Sequence, residues 1–169
     1  KEAILKVAPI SDEGEILIEE YQKLLSPKTK LVSFVHISNS LGTINPAKKM
    51  ITMAHKVGAK VLVDGAQQVA HQAPDVQDLD VDFYVFGLHK MFGPTGIGVL
   101  YGKRELLESI PPYQGGGDMI KTVTFEKTTY NELPHKFEAG TPNISAGIAI
   151  NVTLDYINSL DWNQIHIHE

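Results

Sequence analysis

Three short, nearly all-apolar runs most constrain this chain: Leu31–Ile37 (LVSFVHI), Ala59–Val63 (AKVLV) and Phe83–Phe86 (FYVF), separated by segments with helical spacing. Strands that are apolar without interruption are buried on both faces, as in a largely parallel sheet covered by helices. The repeated strand-helix-strand order predicts an α/β layer with a mostly parallel sheet flanked by helices. In such a layer, binding groups gather at the carboxyl ends of the strands.

Other elements follow from the same patterns. Ile4–Val7 reads as a short strand, and Glu15–Leu25 as a helix that stops before Pro27. The strand Leu31–Ile37 opens into the polar turn Ser38-Asn39-Ser40. Pro46 then sits where a first helical turn tolerates it, and the helix Ala47–Val57 ends at Gly58. Ile97–Tyr101 is a further strand. The expected organisation is an α/β core over residues 1–110, an extended interface segment over 111–143 rich in Gly, Thr and Lys, and a helix over 144–160. Asn143 is placed to cap that last helix, with Ile144, Ile148, Val152 and Tyr156 roughly in line.

Composition removes several classes of function. With 169 residues, 43% of them hydrophobic, the chain is long enough for one core, and one domain is expected. A formal charge of -5, with fifteen scattered Lys and Arg, gives no basic track for nucleic acid. No run reaches the roughly 18 apolar residues that span a bilayer, and Lys1–Ile10 lacks the order of a signal peptide, so a cytoplasmic protein is expected. The absence of cysteine excludes disulfides, thiolate metal sites and a thiol nucleophile in this chain. His166, His168 and Glu169 read as a polar chain end rather than a metal cluster, because no further ligand has sensible spacing. Gly93-Pro94-Thr95-Gly96-Ile97-Gly98 has the wrong glycine spacing for a dinucleotide loop and runs into a strand, not a helix.

Two residues stand where chemistry could be done. Asp64 follows four β-compatible residues and precedes Gly65, so its carboxylate emerges at a strand end and could stabilise a protonated heterocycle nitrogen. It could equally cap the short helix that follows. Lys90, in Gly87-Leu88-His89-Lys90, lies just past a strand among small residues, a surround that admits a Schiff-base amine. His89 could grip a phosphate, stack on a ring or be a satisfied loop histidine. Asn39 and Gln67 each follow a strand and could hydrogen-bond a ligand or serve their own turns.

Five segments in order, His36–Pro46 (HISNSLGTINP), Val61–Gln67 (VLVDGAQ), Asp82–Leu107, Gly115–Ile120 (GGGDMI) and Phe137–Asn143 (FEAGTPN), closely resemble the group II cysteine desulfurases. These are the SufS and selenocysteine lyase-like members of the class V aminotransferase family, with the PLP-dependent transferase (fold type I) architecture. The resemblance implies pyridoxal 5'-phosphate bound to Lys90 as a Schiff base, Asp64 on the ring nitrogen and Gln67 on the ring oxygen. It further implies His89 at the phosphate, Asn39 near the ring oxygen and substrate carboxylate, and Thr141 at the phosphate of a partner subunit in a homodimer.

Members of that family are more than twice this length, so the chain resembles a central fragment of the large cofactor domain. The implied activity is conversion of L-cysteine, or selenocysteine, to alanine with transfer of sulfur to an acceptor protein for Fe-S cluster assembly. Lys90, or else His89, would carry the proton. The thiol and the arginine that such an enzyme uses would lie after Glu169, leaving the fragment alone inactive. One position departs from the pattern: Gly87 stands where the family has a hydroxyl residue contacting the phosphate. The competing readings are a related class V aminotransferase, epimerase or kynureninase-type enzyme, and a non-catalytic dimerisation domain.

Overall fold

A computed structural model describes residues 3–169. Its elements in chain order are α1 (Ile18–Leu24), β1 (Leu31–Val35), α2 (Ala47–His55), β2 (Lys60–Asp64), α3 (Gln68–His71), β3 (Phe83–Gly87), β4 (Gly98–Gly102), α4 (Arg104–Ser109), β5 (Ile120–Val123), β6 (Thr128–Tyr130), α5 (Ile144–Ser159) and α6 (Trp162–His168). The four-stranded sheet has the order β1-β2-β3-β4, with β1-β2 and β2-β3 parallel, giving the α/β architecture expected from the apolar strands. The chain divides into two compact units. The first holds the chain up to Phe86, Gly98–Tyr101 and Trp162–Glu169; the second holds Gly87–Ile97 and Gly102–Asp161.

In the first unit, β2 is the centre of the core. Val61 and Val63 are fully buried, and each contributes about 1.5–3 kcal/mol of apolar transfer. They share one face of the sheet with Tyr84 of β3, because Val63 pairs with Tyr84 in register. Helix α2 packs against β2 and buries Ala47, Met50, Ile51 and Ala54, an i, i+3, i+4, i+7 stripe. Two local devices set its ends. The Asn45 side-chain amide donates to the Val35 carbonyl at 2.7 Å, tying the start of α2 to the end of β1. Gly58 takes φ +79°, the left-handed turn that closes a helix.

Two expectations are corrected. Ile4–Val7 is not a strand: Ile4, Leu5 and Val7 are exposed, and among the described residues no neighbouring strand takes their backbone groups. Helix α1 begins at Ile18 rather than Glu15, because Ile16 is held in an antiparallel bridge with Ile10 and the Ser11 N–H donates to the Glu15 carbonyl. The polar chain end is exposed, as a short helix: residues Trp162–His168 form α6. There the His71 Nδ1 lies 2.8 Å from Glu169 Oε1 and His166 Nε2 lies 3.0 Å from the His71 carbonyl.

In the second unit, the segment expected to be extended contains the antiparallel hairpin β5-β6. Helix α5 starts where Asn143 places it, with the Asn143 Oδ1 accepting from the Ala146 N–H at 3.2 Å. Its buried positions are Ala146, Thr153 and Ile157, so the stripe Ile144, Ile148, Val152 and Tyr156 turns outward and is exposed. Small residues explain the choice of face. A Cβ on Gly93 would lie 3.3 Å from the Thr153 methyl and 2.8 Å from Leu88 Cβ, so α5 passes close over a loop that only glycine permits. Among the described residues, no helix is long and apolar enough to cross a membrane.

Candidate functional site

Asp64 closes β2, and its turn is held by both neighbouring strands. The His36 N–H donates to the Asp64 carbonyl and the Gly65 N–H to the Val85 carbonyl, each at 2.8 Å. The half-buried carboxylate does two things at once. Its Oδ1 accepts from the Ala66 N–H at 2.9 Å, which is the local turn role, while Oδ2 has no protein donor among the described residues. It does not cap α3, whose N-cap residue is Gln67. One oxygen is therefore spent on the turn, and the other is not used by it. The Gln67 amide and the exposed Asn39 amide, also in this unit, make no side-chain hydrogen bond within the described residues.

Behind this turn lie two residues that sequence reasoning did not single out. Tyr84 is buried to 0% exposure and its hydroxyl is 2.9 Å from His36 Nδ1. Burial, and then the charge of Asp64, push the Tyr84 phenol up, while burial pushes the His36 imidazole down. The pair is thus a phenol hydrogen-bonded to a neutral imidazole, with the donor set by the His36 tautomer. A signal was present in the sequence. A tyrosine inside an apolar strand such as FYVF must find a partner for its hydroxyl.

In the second unit, a single 3-10 turn, Leu88–Lys90, carries the lysine. Leu88 is buried as its anchor, and its carbonyl accepts from the N–H groups of Met91 and Gly93, both at 2.9 Å. His89 and Lys90 point outward, exposed, and neither side chain makes a hydrogen bond or ion pair within the described residues. Phe92 follows at φ +65°, a left-handed conformation costly for an aromatic residue, and its ring meets Tyr156 edge-on at 5.4 Å. At the departing position, a Cβ on Gly87 would fall 2.9 Å from His89 Nδ1, so the His89 ring occupies the space that a side chain at 87 would need. Thr141 is exposed in the loop after Gly140, which is held to Gly117 by a backbone hydrogen bond of 3.0 Å.

The profile of the aminotransferase class-V family matches residues 1–169. The chain belongs to the aminotransferase class-V family. Within that family it is 55% identical over 167 residues to a cysteine desulfurase of Synechococcus elongatus, a match covering 99% of this chain and 27% of that protein. The crystal structure of the cysteine desulfurase CsdA from Escherichia coli superposes with a TM-score of 0.89 at 41% identity, over 93% of this chain and 39% of that one. A variant of C-DES with glycine covalently linked to the PLP cofactor matches with a TM-score of 0.77 at 26% identity, over 89% of this chain and 41% of that one. This class-V chain therefore spans well under half the length of the relatives it matches.

Proposed function

We propose that the chain is the central, cofactor-binding part of a cysteine desulfurase that uses pyridoxal 5'-phosphate, incomplete and inactive by itself. The observation that carries this reading is the Asp64 carboxylate, fixed at a strand end with one oxygen in the turn and one without a protein donor among the described residues. The donor set fits the cofactor: a carboxylate for a pyridinium nitrogen, an unpaired lysine amine for an aldehyde, and a histidine and a threonine for a phosphate. Bound pyridoxal phosphate supplies an electron sink that stabilises negative charge at the substrate Cα.

The residues then divide the work. Asp64 keeps a positive charge on the ring nitrogen, and Gln67 and Asn39 offer amides to the ring oxygen. His89, and Thr141 towards the partner subunit of a homodimer, hold the phosphate. Lys90 would anchor the cofactor, and its Nζ would carry the proton at the Cα of L-cysteine, with His89 the second candidate for that transfer. The sulfur passes to a thiol outside these 169 residues, which contain no cysteine. The group II subtype, acceptance of selenocysteine, delivery of sulfur to an acceptor protein for Fe-S cluster assembly and a cytoplasmic setting belong to the same proposal.

The test uses the full-length parent enzyme with pyridoxal phosphate. The expected result is a visible absorbance band, trapped by borohydride as an adduct on Lys90, together with alanine release from L-cysteine, all lost in Lys90→Ala. Near-normal alanine release from Lys90→Ala would overturn the assignment. An absorbance band on Lys90 without alanine and persulfide from L-cysteine would instead mark a related class V aminotransferase, epimerase or kynureninase-type enzyme. Gly87, which removes a hydroxyl from the phosphate site, is the observation favouring a non-catalytic dimerisation domain, and that reading requires no absorbance band at all.

A further inference from the structure

Strand register places Asp64 and the Tyr84–His36 pair on opposite faces of the sheet. Asp64 pairs with Val85 and Val63 with Tyr84, and side chains alternate along each strand. Asp64 therefore projects from one face, and Tyr84, with Val61 and Val63, from the other. The Tyr84 ring runs beneath the turn after Asp64: a Cβ built on Gly65 would fall 2.0 Å from Tyr84 Cε1 and 2.4 Å from its hydroxyl oxygen. Beyond Gly65 the hydroxyl meets His36 Nδ1, with the two rings 6.1 Å apart and nearly perpendicular at 79°. His36 closes the circuit, because its own backbone N–H holds the Asp64 carbonyl.

We propose that Tyr84 and His36 are positioning residues that aim the Asp64 carboxylate at the ring nitrogen of the bound cofactor, by bracing the Asp64–Gly65 turn from the opposite face of the sheet. Glycine at 65 lets the aromatic ring close up against the turn, so the carboxylate is supported by a rigid buried group rather than by a mobile side chain. The hydroxyl-imidazole bond fixes the His36 ring and hence the backbone donor that grips Asp64. Burial of His36 disfavours an imidazolium behind the carboxylate. The cofactor nitrogen is then the cation with which Asp64 pairs. This inference rests on the reading that Asp64 meets the ring nitrogen, and its test separates the two.

The experiment uses the full-length apoenzyme and its Tyr84→Phe, His36→Gln and Asp64→Asn variants. Each is titrated by absorbance with pyridoxal 5'-phosphate and with 1-deazapyridoxal 5'-phosphate, in which a C–H replaces the ring nitrogen. Tyr84→Phe keeps the ring under Gly65 and removes only the hydroxyl, so the fold is retained. His36→Gln tests the same link from the other end. Both variants are expected to weaken pyridoxal phosphate binding ~10-fold, the lower end of what loss of a supporting group costs a bound ion, and to leave the deaza analogue unaffected. If Asp64→Asn discriminates between the two ligands while Tyr84→Phe and His36→Gln do not, the positioning role is overturned and the Asp64 assignment stands. If Asp64→Asn weakens both ligands alike, the assignment and the positioning role fall together.

Discussion

The ring edge of Tyr84 lies where a side chain on residue 65 would begin, with Cε1 2.0 Å from the position of a Cβ on Gly65. That separation is far below van der Waals contact, and Tyr84 is wholly buried, so its ring has nowhere to retreat. Gly65→Ala is expected to destabilise the chain by about 3 kcal/mol, the upper part of the overpacking range. Urea unfolding measures the loss. Combining it with Tyr84→Leu, which vacates the space, should give a smaller loss than the two single losses added together, because the two sites touch.

Asp82 is buried to 1% exposure and accepts from the Val61 N–H at 2.8 Å, with His55 Nε2 2.7 Å and Lys60 Nζ 3.7 Å away. Removing a buried ion partner strands the groups it satisfied. Asp82→Ala is expected to cost about 3–5 kcal/mol, far more than removing an exposed ion pair such as Lys23–Glu20, for which the loss should be under about 1 kcal/mol. Thermal or urea midpoints of the two variants compare them directly.

The Tyr21 hydroxyl donates to the Met50 carbonyl at 3.0 Å, and burial pushes the phenol up from 10.0 to about 12. Between those values the unfolded chain releases the proton and the folded chain keeps it. Stability should therefore be fully present below pH 10 and fall as the pH rises towards about 12, by up to about 3 kcal/mol. Tyr21→Phe should flatten this alkaline slope, at a cost near neutral pH of about 1 kcal/mol for the unpaired carbonyl. Unfolding free energies measured from pH 8 upward test both statements.

His36 shows the opposite dependence. Burial lowers its pKa below the ordinary 6.5, so as the pH falls through 6.5 the unfolded chain takes up a proton that the folded chain refuses. Stability should be complete above that pH and decline below it until the folded imidazole also titrates. His36→Gln should remove this component of the acid loss, read from unfolding midpoints over a pH series.

Gly87→Ser would place a hydroxyl at the position where the resemblance implies one, but the His89 ring stands 2.9 Å from the new Cβ. The serine variant is expected to displace the exposed His89 ring at little cost in stability. Nuclear magnetic resonance of the His89 ring signals would record the displacement, and unchanged signals would show that the two side chains fit together.

Much of the frame was legible in the chain. Val61 and Val63 alternate with Leu62 in a run bounded by Ala59 and Asp64, and a segment of that length and branching has little choice but a buried strand. Asn143 and Gly58 marked helix ends because their local chemistry acts over three or four residues. Asp64 at the strand end and Lys90 in its glycine-bounded turn were recognisable for the same reason, since each position depends on its immediate neighbours. The errors came where the outcome depended on distant partners. Ile4–Val7 has the residues of a strand but no edge to pair with, and the apolar stripe of α5 was visible while the face it presents was not.

Local sequence thus set the strands, the helix ends and the family, because those depend on period, near neighbours and motifs read in order. The support behind Asp64 lies beyond that reach. Tyr84 meets His36 across 48 positions of chain and slides under Gly65 only because β1, β2 and β3 stand side by side in one register. Which oxygen of Asp64 is used by its own turn is likewise set by three-dimensional packing, since a carboxylate's partners are chosen by distance and not by order in the chain.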